Sequence, residues 1–143
     1  MKSKNSLKIF ILEDDVWYGS MLQHYLSLNP DFDVSRFDNS RAFFSRLHEQ
    51  PDVVTLDYSM PDMDGEAVMK KIKEVHPDIQ VIMISGQEDV GTAVSLLKNG
   101  AFDYIVKDDD TKDRIWHSLM RLQELDGLRK QVEELKEQVQ TGA

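Results

Sequence analysis

Five short apolar runs separated by helix-patterned stretches constrain this chain more than any other feature. They are residues 7–12 (LKIFIL), 32–37 (FDVSRF), 52–56 (DVVTL), 79–84 (IQVIMI) and 102–106 (FDYIV). Each is rich in Val, Ile, Phe or Tyr, and most lack strict polar–apolar alternation, as strands buried on both faces do. Between them, Tyr18, Leu22, Tyr25 and Leu26 recur at i, i+4, i+7 and i+8. Val68, Ile72 and Val75 recur at i, i+4 and i+7, as do Val90, Val94 and Leu97. Phe43, Phe44 and Leu47 mark a shorter helix near 40–49, and Gly100 is a helix stop.

Strand and helix thus alternate five times, which predicts an α/β fold with a parallel sheet and helices on both faces. Right-handed crossovers limit the topologies. The expected order is flavodoxin-like, 2-1-3-4-5, with an extended C-terminal helix.

Composition excludes several functions. At 143 residues, 41% hydrophobic and 30% charged, the chain suits one ordinary domain with a core. A net charge of −9 and the lack of a Lys/Arg-rich tract argue against direct contact with nucleic acid. With no cysteine there are no disulfides and no thiolate metal sites. The apolar part of MKSKNSLKIFIL is too short for a signal peptide or a membrane span, so the expected location is the cytoplasm, with no membrane partner.

The acidic stretch LDYSMPDMDG, residues 56–65, places three aspartates directly behind the third apolar run. A calcium loop needs ligands at positions 1, 3 and 5, glycine at 6 and glutamate at 12. Starting at Asp57 puts Pro61 at 5 and Val68 at 12; starting at Asp62 puts Lys73 at 12. Neither register works. As strand ends the residues make better sense. Asp57 follows the third strand, and Glu13, Asp14 and Asp15 follow the first. In open α/β sheets ligands bind beyond the carboxyl ends of the strands. The fourth strand adds Ser85 to that edge and the fifth adds Lys107. Taken singly, an aspartate after a strand is more often a turn or helix cap, and a lysine there is mostly solvated. Converging carboxylates repel, and a hard divalent cation relieves them. Acids with Mg²⁺, a lysine and a hydroxyl suit a phosphoryl group, and a carboxylate there can form an aspartyl-phosphate.

These residues resemble response-regulator receiver domains of two-component signalling, and most closely those of nitrogen-regulator type, which precede a sigma-54 activator ATPase. The resemblance covers residues 7 to about 122. It rests on the acidic cluster Glu13-Asp14-Asp15, on Asp57 through Gly65 as D-x-x-M-P-x-x-D-G, on Ser85-Gly86, and on Gly100 through Lys107 as G-A-x-D-Y-x-x-K. The order 2-1-3-4-5 is also that of the family, so the expected topology and the resemblance are not independent. The resemblance implies that Asp57 accepts a phosphoryl group from a sensor histidine kinase. Mg²⁺, with Mn²⁺ as an alternative, is held by Glu13, Asp14, Asp57 and the Ser59 carbonyl. The register of the family pattern, not chemistry, chooses Glu13 and Asp14 over Asp15. Ser85 and Lys107 contact the phosphoryl oxygens, Ser85 and Tyr104 switch, and Ser59 and Gln87 tune dephosphorylation. The resemblance makes the protein a switch rather than an enzyme with turnover on other substrates, catalysing only its own phosphorylation and dephosphorylation. The rival reading is an interaction and dimerisation domain that works without phosphorylation. One departure stands out. Asp108, followed by Asp109 and Asp110, occupies the place of the usual proline after the lysine. A trans bond or a strained loop is expected there, and the acids compete for Lys107 or cap the last helix.

The receiver is expected over residues 5–122 and a helical extension over 123–143, leading to an effector domain absent from these residues. Leu125, Leu128, Val132, Leu135 and Val139 are spaced 3, 4, 3, 4, a seam of about two heptads that favours a parallel homodimer. Glu124 is placed to pair with Arg129 of a second copy. Asp126-Gly127 sits inside the seam, where glycine weakens a helix by about 1 kcal/mol, and a frayed, solvated tail is the alternative reading.

Overall fold

Parallel pairing of five strands organises the molecule. The computed structural model describes residues 6–141. The expected domain start at residue 5 and the end of the extension, 142–143, lie outside the described residues. The strands are β1 (Leu7–Leu12), β2 (Phe32–Phe37), β3 (Val53–Asp57), β4 (Gln80–Ser85) and β5 (Asp103–Val106), in the order β2-β1-β3-β4-β5. The last three strands start and end within a residue or so of the apolar runs. Every pairing is parallel, with Leu12 opposite Leu56, Asp57 opposite Ile84 and Ser85 opposite Val106. The carboxyl ends of β1, β3, β4 and β5 therefore share one edge.

The pleat sorts side chains to two faces. Phe10, Leu12, Val54, Leu56, Val81 and Met83 face one cluster, closed by Phe43 of α2 (Ser40–Ser45), Val68 and Ile72 of α3 (Gly65–Val75) and Leu96 of α4 (Val90–Lys98). Ile9, Ile11, Val53, Ile82 and Ile105 face the other, closed by Leu22 and Leu26 of α1 (Val16–Leu26) and Ile115, Leu119 and Leu122 of α5 (Thr111–Thr141). Both faces are covered, which explains why the strands read as continuous apolar runs. Each fully buried Leu, Ile or Phe contributes about 1.5–3 kcal/mol.

Four helices begin at an Asx cap. Asp15, Asn39, Asp64 and Asp89 accept backbone N–H bonds from Tyr18, Ala42, Ala67 and Gly91/Thr92 respectively. Four helical expectations need refinement. The segment near 40–49 divides into α2 and a single 3-10 turn, Leu47–Glu49, ended by Gln50 at φ 53°. The stripe Val90, Val94 and Leu97 faces outward, and α4 packs on the sheet through Leu96 instead. Val75 is likewise exposed at the end of α3. The weak position, Gly127, does not interrupt α5, which runs as one helix of 31 residues. Leu125, Leu128, Val132, Leu135 and Val139 are 50–78% exposed along it. Arg129 pairs with Asp126 of its own helix at 2.7 Å, so a bond to Glu124 of a second copy has a competitor.

Candidate functional site

The strand ends bring the acids together. One carboxylate oxygen from each of Glu13, Asp14 and Asp57 lies within 4.8 Å of the others, the one such acidic or histidine cluster among the described residues. Glu13 and Asp57 are buried, while Asp14 opens to solvent. Asp15, the third acid of the run, is engaged elsewhere, because its carboxylate caps α1 by accepting the Tyr18 N–H at 3.1 Å. The side chains of Glu13 and Asp14 therefore point to the cluster and that of Asp15 to the helix cap.

Lys107, just past β5, reaches into this cluster. Its Nζ is 2.5 Å from Glu13 Oε1 and 3.7 Å from Asp57 Oδ2. Ser85, at the end of β4, is 1% exposed, and its Oγ accepts the Gln87 N–H at 3.1 Å. The Lys107 N–H donates to the Ser85 carbonyl at 2.7 Å, so serine and lysine are fixed to each other through the backbone. Ser59 N–H donates to Asp57 Oδ1 at 3.1 Å. Tyr104 stands on β5, half-buried, and its hydroxyl donates to the Gln87 carbonyl at 2.8 Å. A chain of bonds therefore links Ser85, Gln87 and Tyr104, joining the two switch positions that the resemblance implies through Gln87, which it assigns to dephosphorylation.

The loop after β3 is tightly built. Asp62 accepts from both the N–H and the hydroxyl of Ser40, and Asp64 caps α3. Neither belongs to the acidic cluster. Gly65 has no room for a side chain: a Cβ there would lie 2.7 Å from Tyr58 Cα and 2.9 Å from Met83 Sδ.

Among the described residues no peptide bond is cis, and Asp108 follows Lys107 through a trans bond. The acids after the lysine do not capture it. Asp108 instead pairs with Arg114 at 2.5 Å, which holds its carboxyl below the usual carboxylate range. Its N–H donates to Thr111 Oγ1 at 2.6 Å, and that hydroxyl lies 2.9 Å from the carbonyls of Val106 and Asp108. Arg114 also donates to the Val106 carbonyl at 3.2 Å. Thr111 and Arg114 form a polar clasp around the loop where the family pattern has proline. No local signal in the sequence marks these two residues, because the backbone groups of Val106 and Asp108 that they meet are brought to them only by the turn.

Burial above all, and then the neighbouring Asp57 carboxyl, push the Glu13 carboxyl up to about 8, although Lys107 pulls it down. For Lys107, burial alone would lower the ammonium, but Glu13 and Asp57 outweigh it and hold it above its usual range. One lysine thus serves two buried acids, with Asp14 at the rim of the same cluster. Three carboxylates at this separation suit a hard divalent cation with oxygen ligands such as Mg²⁺, and Glu13, Asp14 and Asp57 are the residues that would hold it. The site lies open at the sheet edge. A cleft of about 380 Å³ lies at the opposite edge between Leu7, Pro77, Phe102 and Leu122. It is not close to these groups, and we place the chemistry at the acidic edge, where the charged groups converge.

Known proteins resemble this chain in sequence and in fold. This chain is 38% identical over 101 residues to the transcriptional regulatory protein KdpE of Staphylococcus aureus, covering 70% of this chain and 43% of that protein. It is 32% identical over 108 residues to the DNA-binding transcriptional regulator NtrC of Salmonella typhimurium, covering 75% and 23%. The chain thus spans less than half the length of these curated relatives. A crystal structure of a signal receiver domain from Vibrio parahaemolyticus superposes with a TM-score of 0.81 at 25% identity, over 90% of this chain and 98% of that one. Residues 9–118, from β1 into α5, match the family model described as response regulator receiver domain. With the strand order, the acidic edge and these relatives in agreement, the chain belongs to the response regulator receiver domain family, and its nitrogen-regulator likeness is shared with NtrC.

Proposed function

We propose that this chain accepts a phosphoryl group from the phosphohistidine of a sensor histidine kinase onto Asp57, in a Mg²⁺-dependent reaction, and switches an output, transcription through a further domain. The observation that carries this reading is the cluster of Glu13, Asp14 and Asp57 within 4.8 Å, with Lys107 inside it. An Asp57 carboxylate oxygen attacks phosphorus as the bond from phosphorus to the donor imidazole nitrogen breaks. Glu13, Asp14, Asp57 and the Ser59 carbonyl would hold the ion, which would supply neutralisation of charge on the transferring oxygens. Lys107 gives up Glu13 and turns to a phosphoryl oxygen, and the Ser85 hydroxyl donates to another.

The new group adds about −1.5 to −2 charges and three acceptor oxygens. It draws on Ser85, and through Gln87 on Tyr104, so that the surface of α4 and β5 responds. Ser59 and Gln87 flank the site and set how long the acyl phosphate lasts. The protein turns over no other substrate, works in the cytoplasm, and pairs with a second copy through the exposed stripe of α5. No helix among the described residues is long and apolar enough to cross a membrane.

Phosphotransfer from a phosphorylated histidine kinase tests this. The label is expected on the chain as an acyl phosphate, cleaved by hydroxylamine and mapped by peptide mass to Asp57. A label that is stable to hydroxylamine, or one that maps elsewhere, would overturn the assignment.

A further inference from the structure

One contact of Lys107 has no part in that chemistry. Its Nζ lies 4.5 Å from the ring centroid of Tyr18, inside the range of about 6 Å for a cation over an aromatic face. Tyr18 stands in the first turn of α1, where the Asp15 cap holds its backbone N–H at 3.1 Å. Its ring is half-buried and packs on the same core cluster that α5 closes. The Lys107 backbone is fixed to β4 through the Ser85 carbonyl, and the clasp of Thr111 and Arg114 fixes the residues around it. What remains free is the four-carbon stem, and its ammonium rests between Glu13, Asp57 and the Tyr18 ring.

These three neighbours differ in kind. Glu13 occupies an N–H donor that a phosphoryl oxygen would need, Asp57 Oδ2 draws the ammonium from 3.7 Å, and both would be committed to the metal when it is bound. A ring face attracts the ammonium's charge without consuming its three donors. We propose that Tyr18 is a positioning residue: its ring holds the Lys107 ammonium over the acidic edge while Glu13 is given up, with its donors aimed at the incoming phosphoryl oxygens. This rests on the reading of Asp57 as phosphoacceptor. The residue that caps α1, Asp15, thereby acts at the site through the ring it places. The sequence hides this, because an aromatic three residues into an amphipathic helix reads as core.

The test compares Tyr18→Phe, which keeps a ring, with Tyr18→Leu, which keeps only apolar bulk. In metal-free protein, the Lys107 side-chain protons are expected upfield by the ring current in the wild type and in Tyr18→Phe, and at ordinary positions in Tyr18→Leu. With acetyl phosphate and Mg²⁺, the initial rate of Asp57 labelling is expected to fall about three- to tenfold in Tyr18→Leu. Tyr18→Phe restores the rate, and Mg²⁺ affinity is the same in all three. A wild-type spectrum without the upfield shift overturns the proposal. So does a Tyr18→Leu protein labelled at the wild-type rate, or a slower one whose Mg²⁺ affinity falls in parallel. A wild type that takes no label overturns the phosphoacceptor reading itself, whereas a labelled wild type with an unaffected Tyr18→Leu overturns only the role of Tyr18.

Discussion

Glu13 ties the site to pH. Its ordinary value is 4.5 and burial beside Asp57 raises it to about 8. The folded, metal-free protein therefore binds an extra proton between those values. This group's contribution to stability is full below about 4.5 and is lost as pH rises toward 8. A cation at Glu13 must displace that proton, so Mg²⁺ should raise the melting temperature more at about pH 9 than at about pH 6. Equal Mg²⁺ shifts at the two pH values would contradict a proton held on Glu13. Gly65 makes a different demand. A methyl there meets the Tyr58 backbone, which cannot yield as a flexible side chain would. Gly65→Ala should cost about 1–3 kcal/mol in urea unfolding, and an unchanged midpoint would show that the loop has more room than its contacts indicate.

At the scale of elements, the loop from β5 to α5 replaces a proline by a polar clasp. Thr111 is 2% exposed and satisfies backbone groups on Val106 and Asp108. Thr111→Val keeps the shape but strands those groups, and should cost about 1–2 kcal/mol in chemical denaturation. A neutral result would mean that water or Arg114 takes over. Helix α5 serves two purposes along its length. Ile115, Leu119 and Leu122 are buried on the sheet, and from Leu125 onward the apolar stripe is uncovered. Leu128 and Leu135 are 58% and 60% exposed, so Leu128→Glu with Leu135→Glu should leave the melting temperature nearly unchanged. In sedimentation, the same pair should convert a dimer to a monomer. A double variant that still sediments as a dimer would move the self-association surface elsewhere.

At the scale of the whole molecule, what was legible in the sequence followed what is local. Strand boundaries and the edge where acids gather come from runs of a few residues and from the rule that parallel strands share their carboxyl ends, whereas the sheet order came with the family resemblance. Helix α4 shows the limit: its spacing of Val90, Val94 and Leu97 is amphipathic, yet Leu96 is the residue that meets the sheet, because hydrophobic period does not say which of two apolar faces points inward. The meeting of Lys107 with Tyr18, and of Ser40 with Asp62, joins elements far apart in the chain, and nothing local encodes it. Gly127 misleads in the opposite sense, since one weak residue costs less than its neighbours on both sides restore.

The proposed function turns on Asp57 as the phosphoacceptor. The most direct measurement is intact mass after incubation with acetyl phosphate, with and without Mg²⁺, for the wild type and Asp57→Asn. A gain of one phosphoryl group is predicted in the wild type only when Mg²⁺ is present, and none in Asp57→Asn. The same gain in Asp57→Asn, or an undiminished gain without Mg²⁺, would contradict that role.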